Sequence, residues 1–285
     1  MKKCFRSIFR DVRVLKNSLK VGVFDSGIGG LTVLRNALME FPFGIDFFYF
    51  ADTARVPYGS KPVATIRRYV HEIFEFFYSI GIDVIVTACN TSDSILTQKE
   101  KESLPVPYFS IIDPAVRSIG EIAPANSSVS IIATSNTVKR SLYLRRLFRY
   151  DTLSEITQKA CPLFVPIIEE GIWEGDMVEA VVHYYLADLG NQRPDFLVLG
   201  CTHYPFIRGA IEKSLPPTTR IIDPADFIVL DMKRQLHPSS KEDSTVEYFV
   251  SGDTGFFQDV LKRYFGMPGV VKQVDLSRDN IVVRG

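Results

Sequence analysis

Apolar and polar positions alternate along the chain with two different periods. Runs of strand length recur at Val21–Phe24, Asp46–Phe50, Asp83–Val86, Tyr108–Ile112, Val129–Ala133, Phe196–Leu199 and Arg220–Ile222. Most are nearly continuous in apolar residues, the pattern of strands covered on both faces. Between them, Leu31–Glu40, Ile66–Ile80, Met177–Leu189 and Phe256–Phe265 repeat apolar residues at spacings of three and four. That spacing predicts helices with one buried face. Strands alternating with helices predict βαβ units, hence an α/β fold with mainly parallel, doubly wound sheets.

The alternation repeats. "IIDPA" stands at 111–115 and again at 221–225, Cys89 and Cys201 follow the third and sixth of these strand runs, and "VGVFDSG" at 21–27 aligns with "SIIATSN" at 130–136. Three features in one order at nearly one offset predict two similar, pseudo-symmetric domains. Residues 21–113 plus 226–285 are expected to form the first and 114–225 the second, after a basic extension at 1–20. Open parallel sheets bind ligands beyond the carboxyl ends of their strands. Asp25, Cys89, Thr134 and Cys201 all fall there, so two domains facing each other would offer one thiol from each side of a single cleft.

Composition narrows the picture. The 285 residues are 46% hydrophobic with a formal net charge of zero, enough for a large core and without a global pull towards nucleic acid. No apolar run reaches the roughly 18 residues of a membrane span. Cys4, Cys89, Cys161 and Cys201 form no CxxC pair, and Cys201-x-His203 is not a zinc spacing, so no metal site is expected. So few cysteines in so long a chain argue for reduced thiols and a cytoplasmic location. Residues 1–20 carry seven Lys/Arg and one Asp, with apolar residues at roughly helical spacing. They read as a solvated tail, a start site placed too early, or a basic amphipathic helix that docks on a partner.

Two bases on opposite faces of a ligand suit racemisation: one removes a proton from a stereocentre and the other returns one to the far face. A thiol is mostly protonated at neutral pH, its ordinary pKa being about 8.5. Each cysteine here precedes a predicted helix start, which favours the thiolate. His203 is placed to shuttle the Cys201 proton, and Asp25 is expected near Cys89. "DSGIGG", 25–30, is neither GxGxxG nor a P-loop. It reads as a small-anion site, with glycines admitting the ligand to backbone N–H groups. Asn90, Thr91 and Thr202 add short donors, and "PYGS", 57–60, adds the Tyr58 hydroxyl and Gly59. No cofactor loop is evident, so cofactor-independent chemistry is expected. Cys161, His71, His183 and His237 read as structural or exposed, "FFYF" at 47–50 as core, and "RRLFR" at 145–149 as a solvated face.

These residues resemble the glutamate racemases of the aspartate/glutamate racemase superfamily. The motifs are "VFDSGIGGLTVL", "ADTARVPYGSK", "ACNT", "ACPLFVPIIEEG", "LGCTHYP" and "FVSGDTGFF", in order from Val21 onwards. The resemblance implies a two-domain fold and cofactor-free interconversion of L- and D-glutamate, which supplies peptidoglycan precursor synthesis. It implies Cys201 as the acceptor of the L-glutamate proton and Cys89 as the thiol of the D face. Asp25 and His203 would assist them, with Glu169 orienting His203. Asp25, Ser26, Tyr58, Gly59, Asn90, Thr91, Thr202 and His203 would contact the substrate, with Thr134 and Thr137 completing the pocket. Three departures stand out: the basic extension, Ala133 in place of the usual glycine, and "CNTSDS" where small residues are usual. Asp93 either points away or raises the pKa of Cys89.

The same residues admit other readings. They are a racemase of the same superfamily acting on aspartate or a related amino acid, a Cys-His hydrolase, and a binding protein on a racemase fold. A hydrolase has no use for a second, symmetric cysteine. The expected partner is a small-molecule substrate, glutamate; a homodimer is left open.

Overall fold

A computed structural model describes residues 18–266, 269–276 and 282–284. Residues 1–17, and with them Cys4 and most of the basic extension, lie outside the described residues. The first strand starts inside the remainder of that extension, at Leu19.

The chain opens β1 (Leu19–Asp25), α1 (Leu31–Glu40), β2 (Ile45–Ala51), α2 (Val63–Ser79), β3 (Val84–Thr87) and α3 (Asn90–Ile95). It continues through α4 (Gln98–Glu102), β4 (Tyr108–Ser110) and α5 (Ile112–Ile122) into β5 (Ser127–Ala133), α6 (Ser135–Arg140) and α7 (Leu142–Leu147). Then come β6 (Leu153–Ala160), α8 (Phe164–Glu169), α9 (Asp176–Gln192), β7 (Phe196–Gly200), α10 (Arg208–Lys213) and β8 (Arg220–Ile222). The last described elements are α11 (Pro224–Gln235), β9 (Thr245–Val250), α12 (Thr254–Val260), β10 (Val271–Asp275) and β11 (Val282–Arg284).

Two sheets result. One runs β11-β10-β9-β2-β1-β3-β4 and the other β6-β5-β7-β8. All pairings between these strands are parallel except β10 with β11. The cores β2-β1-β3-β4 and β6-β5-β7-β8 share one order, so the repeat seen in the sequence is a repeat of topology. The equivalent strand ends are Asp25 and Ala133, which pairs Ser26 with Thr134. The expected alignment of Asp25 with Thr134 is therefore one residue out.

Covered strands are buried as their composition demands. All of β3 and β7 is buried, and "FFYF" of β2 is core. Phe24, Phe50, Phe74, Phe76 and Phe77 pack edge-on or tilted between the first sheet and α2, at centroid distances of 5.4–6.5 Å.

Several boundaries differ from expectation. The predicted strand Tyr108–Ile112 stops at Ser110, because the Ser110 hydroxyl accepts the Asp113 N–H (3.1 Å) and starts α5 early. The second "IIDPA" behaves differently: Asp223 caps α11 and Pro224 takes its first position. Strands β6 and β9 escaped the periodicity because β6 is an edge strand, half-buried and mostly polar, and β9 begins exposed. Among the described residues, no helix is long and apolar enough to cross a membrane.

Candidate active site

Four strand ends converge on one cavity, lined by Asp25, Ser26, Tyr58, Gly59, Cys89, Asn90, Thr91, Thr134, Val165, Cys201, Thr202 and His203. The two thiols stand at the ends of the equivalent strands β3 and β7. Thr137 and Glu169 stand one layer behind the lining. Val165, from α8, is the lining residue that sequence reasoning missed; in sequence it is one more apolar position in "PLFVPIIEEG".

The two thiols have different surroundings. Cys89 is the N-cap of α3 and accepts the Ser92 N–H at 3.5 Å, while its own thiol points at the Ser26 hydroxyl at 3.8 Å. Burial and the nearby Asp25 carboxylate nevertheless push the Cys89 thiol up to about 11. The helix start therefore does not make it a thiolate by itself. Asp93 is not among the main causes of this shift, and its carboxylate points away. Its buried carboxylate pairs with Lys101, accepts from Tyr108 (2.9 Å) and Ser110 (2.5 Å), and takes the Ile112 N–H at the start of α5 (3.1 Å). Lys101→Met would leave that carboxylate buried without its cation. A loss of about 3–5 kcal/mol is expected in urea unfolding.

Cys201 differs from expectation in that no α-helix starts at it; a 3₁₀ turn at Tyr204–Ile207 follows instead. Its partner is His203, whose Nδ1 lies 3.7 Å from Sγ, while Nε2 bonds to Glu169. Burial works against a charged imidazole here, but the bonds to Cys201 and Glu169 outweigh it and hold His203 well above the usual histidine value. The result is an imidazolium beside one thiol and a proton held firmly on the other. Glu169→Gln removes the charge that favours the imidazolium, so His203 should lose its proton at lower pH. The alkaline limb of the pH–rate profile is expected to move down, read from kcat across pH 6–10.

Asp25 is fully buried, and burial raises its pKa against the pull of His203 and of the Gly27 and Thr202 donors. It accepts the Gly27 N–H (2.9 Å) and, across the cleft, the Thr202 hydroxyl (3.1 Å). Its effect on Cys89 is through charge, whereas Ser26 makes the thiol's contact.

The glycine loop does a different job from the one expected. Its Gly27 and Ile28 N–H groups are taken by the protein's own Asp25 and Glu169 carboxylates. Its glycines make room for side chains. A Cβ on Gly27 would lie 1.9 Å from Glu169 Oε1, and one on Gly29 would lie 2.3 Å from His203 Nδ1.

The Tyr58 hydroxyl is also engaged elsewhere, with the buried carboxylate of Asp52. Tyr58 and Gly59 still line the cavity, held from the opposite side by the Asn136 amide on the carbonyls of Tyr58 (3.0 Å) and Lys61 (2.8 Å). Thr91, Thr134 and Thr137 form a hydroxyl cluster, with Thr91 2.9 Å from Thr134 and Thr134 3.1 Å from Thr137. "RRLFR" is less solvated than expected, since Arg146 pairs with Asp113 at 3.0 Å. Cys161, by contrast, is buried as expected, and Cys89, Cys161 and Cys201 are free thiols. No cluster of residues able to hold a metal ion is found among the described residues.

The model of the Asp/Glu/Hydantoin racemase family matches residues 45–231. A glutamate racemase of Sulfurihydrogenibium sp. is 38% identical over 260 residues, covering 91% of this chain and 98% of its own length. The chain belongs to the glutamate racemases. Two solved members of that family superpose along nearly their whole length. The Thermus thermophilus glutamate racemase, solved with β-chloro-D-alanine, is 37% identical with a TM-score of 0.78 and covers 91% of this chain and 98% of its own. The Francisella tularensis glutamate racemase, solved with D-glutamate, is 30% identical with a TM-score of 0.81, at 92% and 99% coverage. Glutamate racemases are isomerases, and the two-domain α/β racemase fold is the one described above.

Proposed function

We propose that the chain interconverts L- and D-glutamate by proton transfer between two thiols and the substrate Cα, and so supplies D-glutamate for peptidoglycan precursors. The observation that carries this reading is the pair Cys89 and Cys201, at the ends of equivalent strands and lining one cavity. In this reading, the division at 113/114 and 225/226 separates the two halves of the cleft.

The Cys201 thiolate, beside the His203 imidazolium, takes the Cα proton of L-glutamate. The electron pair stays on Cα as a carbanion. Cys89, whose proton is held to about 11, delivers it to the opposite face. D-Glutamate leaves behind a Cys201 thiol and a Cys89 thiolate. Return of a proton to Cys89 and loss of one from Cys201 through His203 restores the starting state. Each proton carrier is a residue of this chain, so the scheme calls for no added cofactor.

The test uses purified protein and L-glutamate in deuterated buffer. Exchange of the Cα proton is followed by NMR and D-glutamate by chiral chromatography. Both are expected. Exchange with aspartate and none with glutamate would move the assignment to another substrate of the superfamily. Neither, in folded protein, would overturn the reading.

A further inference from the structure

The Asn90 amide is built for one orientation, and the residue that builds it stands on the opposite side of the cleft. Asn90 is 2% exposed and lines the cavity. Its Oδ1 accepts the hydroxyl of Tyr143 at 2.6 Å, while its Nδ2 has no partner among the described residues. A buried amide donor left unpaired costs free energy unless something arrives to accept it. Tyr143 itself is fully buried on α7 and does not line the cavity.

The placement of Tyr143 is secured independently. Ser141, left-handed at φ 52°, turns the chain between α6 and α7, and the Arg146–Asp113 ion pair fastens α7 to α5. Consecutive residues of α3 are thus gripped from the second sheet's side, Asn90 by Tyr143 and Thr91 by Thr134. Burial, with Asp93, Asp223, Cys201 and Asp113 nearby, holds the Tyr143 hydroxyl well above the ordinary tyrosine value, so its proton stays available to donate.

We propose that Tyr143 is a positioning residue for substrate recognition: its hydroxyl locks the Asn90 amide with Nδ2 towards the cavity, where it meets a substrate carboxylate oxygen. The alternative orientation would aim Oδ1 at the carboxylate and strand the phenolic proton without an acceptor. Both consequences penalise it when an anion is bound. This inference rests on the glutamate reading. It adds a residue that touches neither the substrate nor the thiols, and acts through one that does.

Tyr143→Phe is expected to raise KM for both enantiomers about tenfold, the size of one hydrogen bond to a charged group, with kcat little changed. The two enantiomers share the carboxylate, so the factor should be the same for both. The decisive measurement is a cycle with Asn90→Ala. If Tyr143 acts through Asn90, the double variant should bind glutamate no more weakly than Asn90→Ala alone. Additive losses, or an unchanged KM in Tyr143→Phe, would overturn the inference. Incorporating p-aminophenylalanine at 143 restores a donor at the same point. It should recover the wild-type KM, which a purely packing role would not predict, and it serves in place of Tyr143→Phe should that variant fail to fold. Calorimetric titration with glutamate reads the same cycle as an affinity rather than a rate. Binding without racemisation would therefore sink the function reading while still deciding the role of Tyr143, and a wild-type protein that does not bind glutamate would end both.

Discussion

Cys201→Ser and Cys89→Ser are each expected to lower racemisation of glutamate by roughly 10²–10⁴-fold, the contribution of one positioned acid–base group. A hydroxyl gives up its proton far less readily than a thiol, so each variant keeps one competent base and loses the other. The asymmetry between them will not appear in kcat/KM for racemisation. Enantiomers have equal free energy, so the two directions must keep equal kcat/KM in any variant. It appears instead in a one-way reaction. With a glutamate carrying a leaving group at Cβ, abstraction of the Cα proton expels that group and needs no second proton donor. Cys201→Ser should then fail on the L-configured substrate and retain activity on the D-configured one, with Cys89→Ser showing the reverse. Equal failure on both would leave the assignment of faces unsupported. The two thiols differ in their surroundings, with His203 held well above the usual histidine value beside Cys201 and the Cys89 thiol held up to about 11.

Gly29→Ala is expected to cost about 10²-fold in kcat, although Gly29 carries no chemistry. Its added Cβ would sit 2.3 Å from His203 Nδ1 and 2.8 Å from the His203 backbone nitrogen. Ordinary contact is more than an ångström longer, so the imidazole must move by about 1 Å, and a displacement of that size costs roughly 10²-fold. The His203 bonds to Cys201 and Glu169 would be lost together, so the pH–rate profile should change along with the rate. Gly209→Ala is the control. Nothing lies within 4 Å of its Cβ position, and it sits in α10, where alanine is the better helix former. Its kcat should be unchanged and its Tm equal or higher. Wild-type activity in Gly29→Ala would mean that His203 tolerates displacement and that its contact with Cys201 is not needed.

The sequence alone determined the α/β architecture and brought forward most of the residues that line the cavity. Continuous apolar runs such as Phe196–Leu199 fit strands covered on both faces, and their alternation with helices of period 3.6 fits parallel sheets. The spacing of Cys89 and Cys201 along that repeat placed both thiols at equivalent strand ends, because equivalent positions in a repeated βαβ unit share a height above the sheet. Tertiary structure alone decided what each group does there. Whether a thiol is held protonated depends on burial and on charges brought from far along the chain, as Asp25 acts on Cys89. The orientation of Asp93 was open in sequence because its partners Lys101, Tyr108 and Ser110 are set beside it by α4 and β4 rather than by neighbouring positions. The glycines of "DSGIGG" signal close approach, yet what approaches is Glu169 and His203, more than a hundred residues away. Tyr143 carried no signal at all: in sequence it is one apolar position on a short basic helix, and it acquires a role only when folding carries its hydroxyl across the cleft to Asn90.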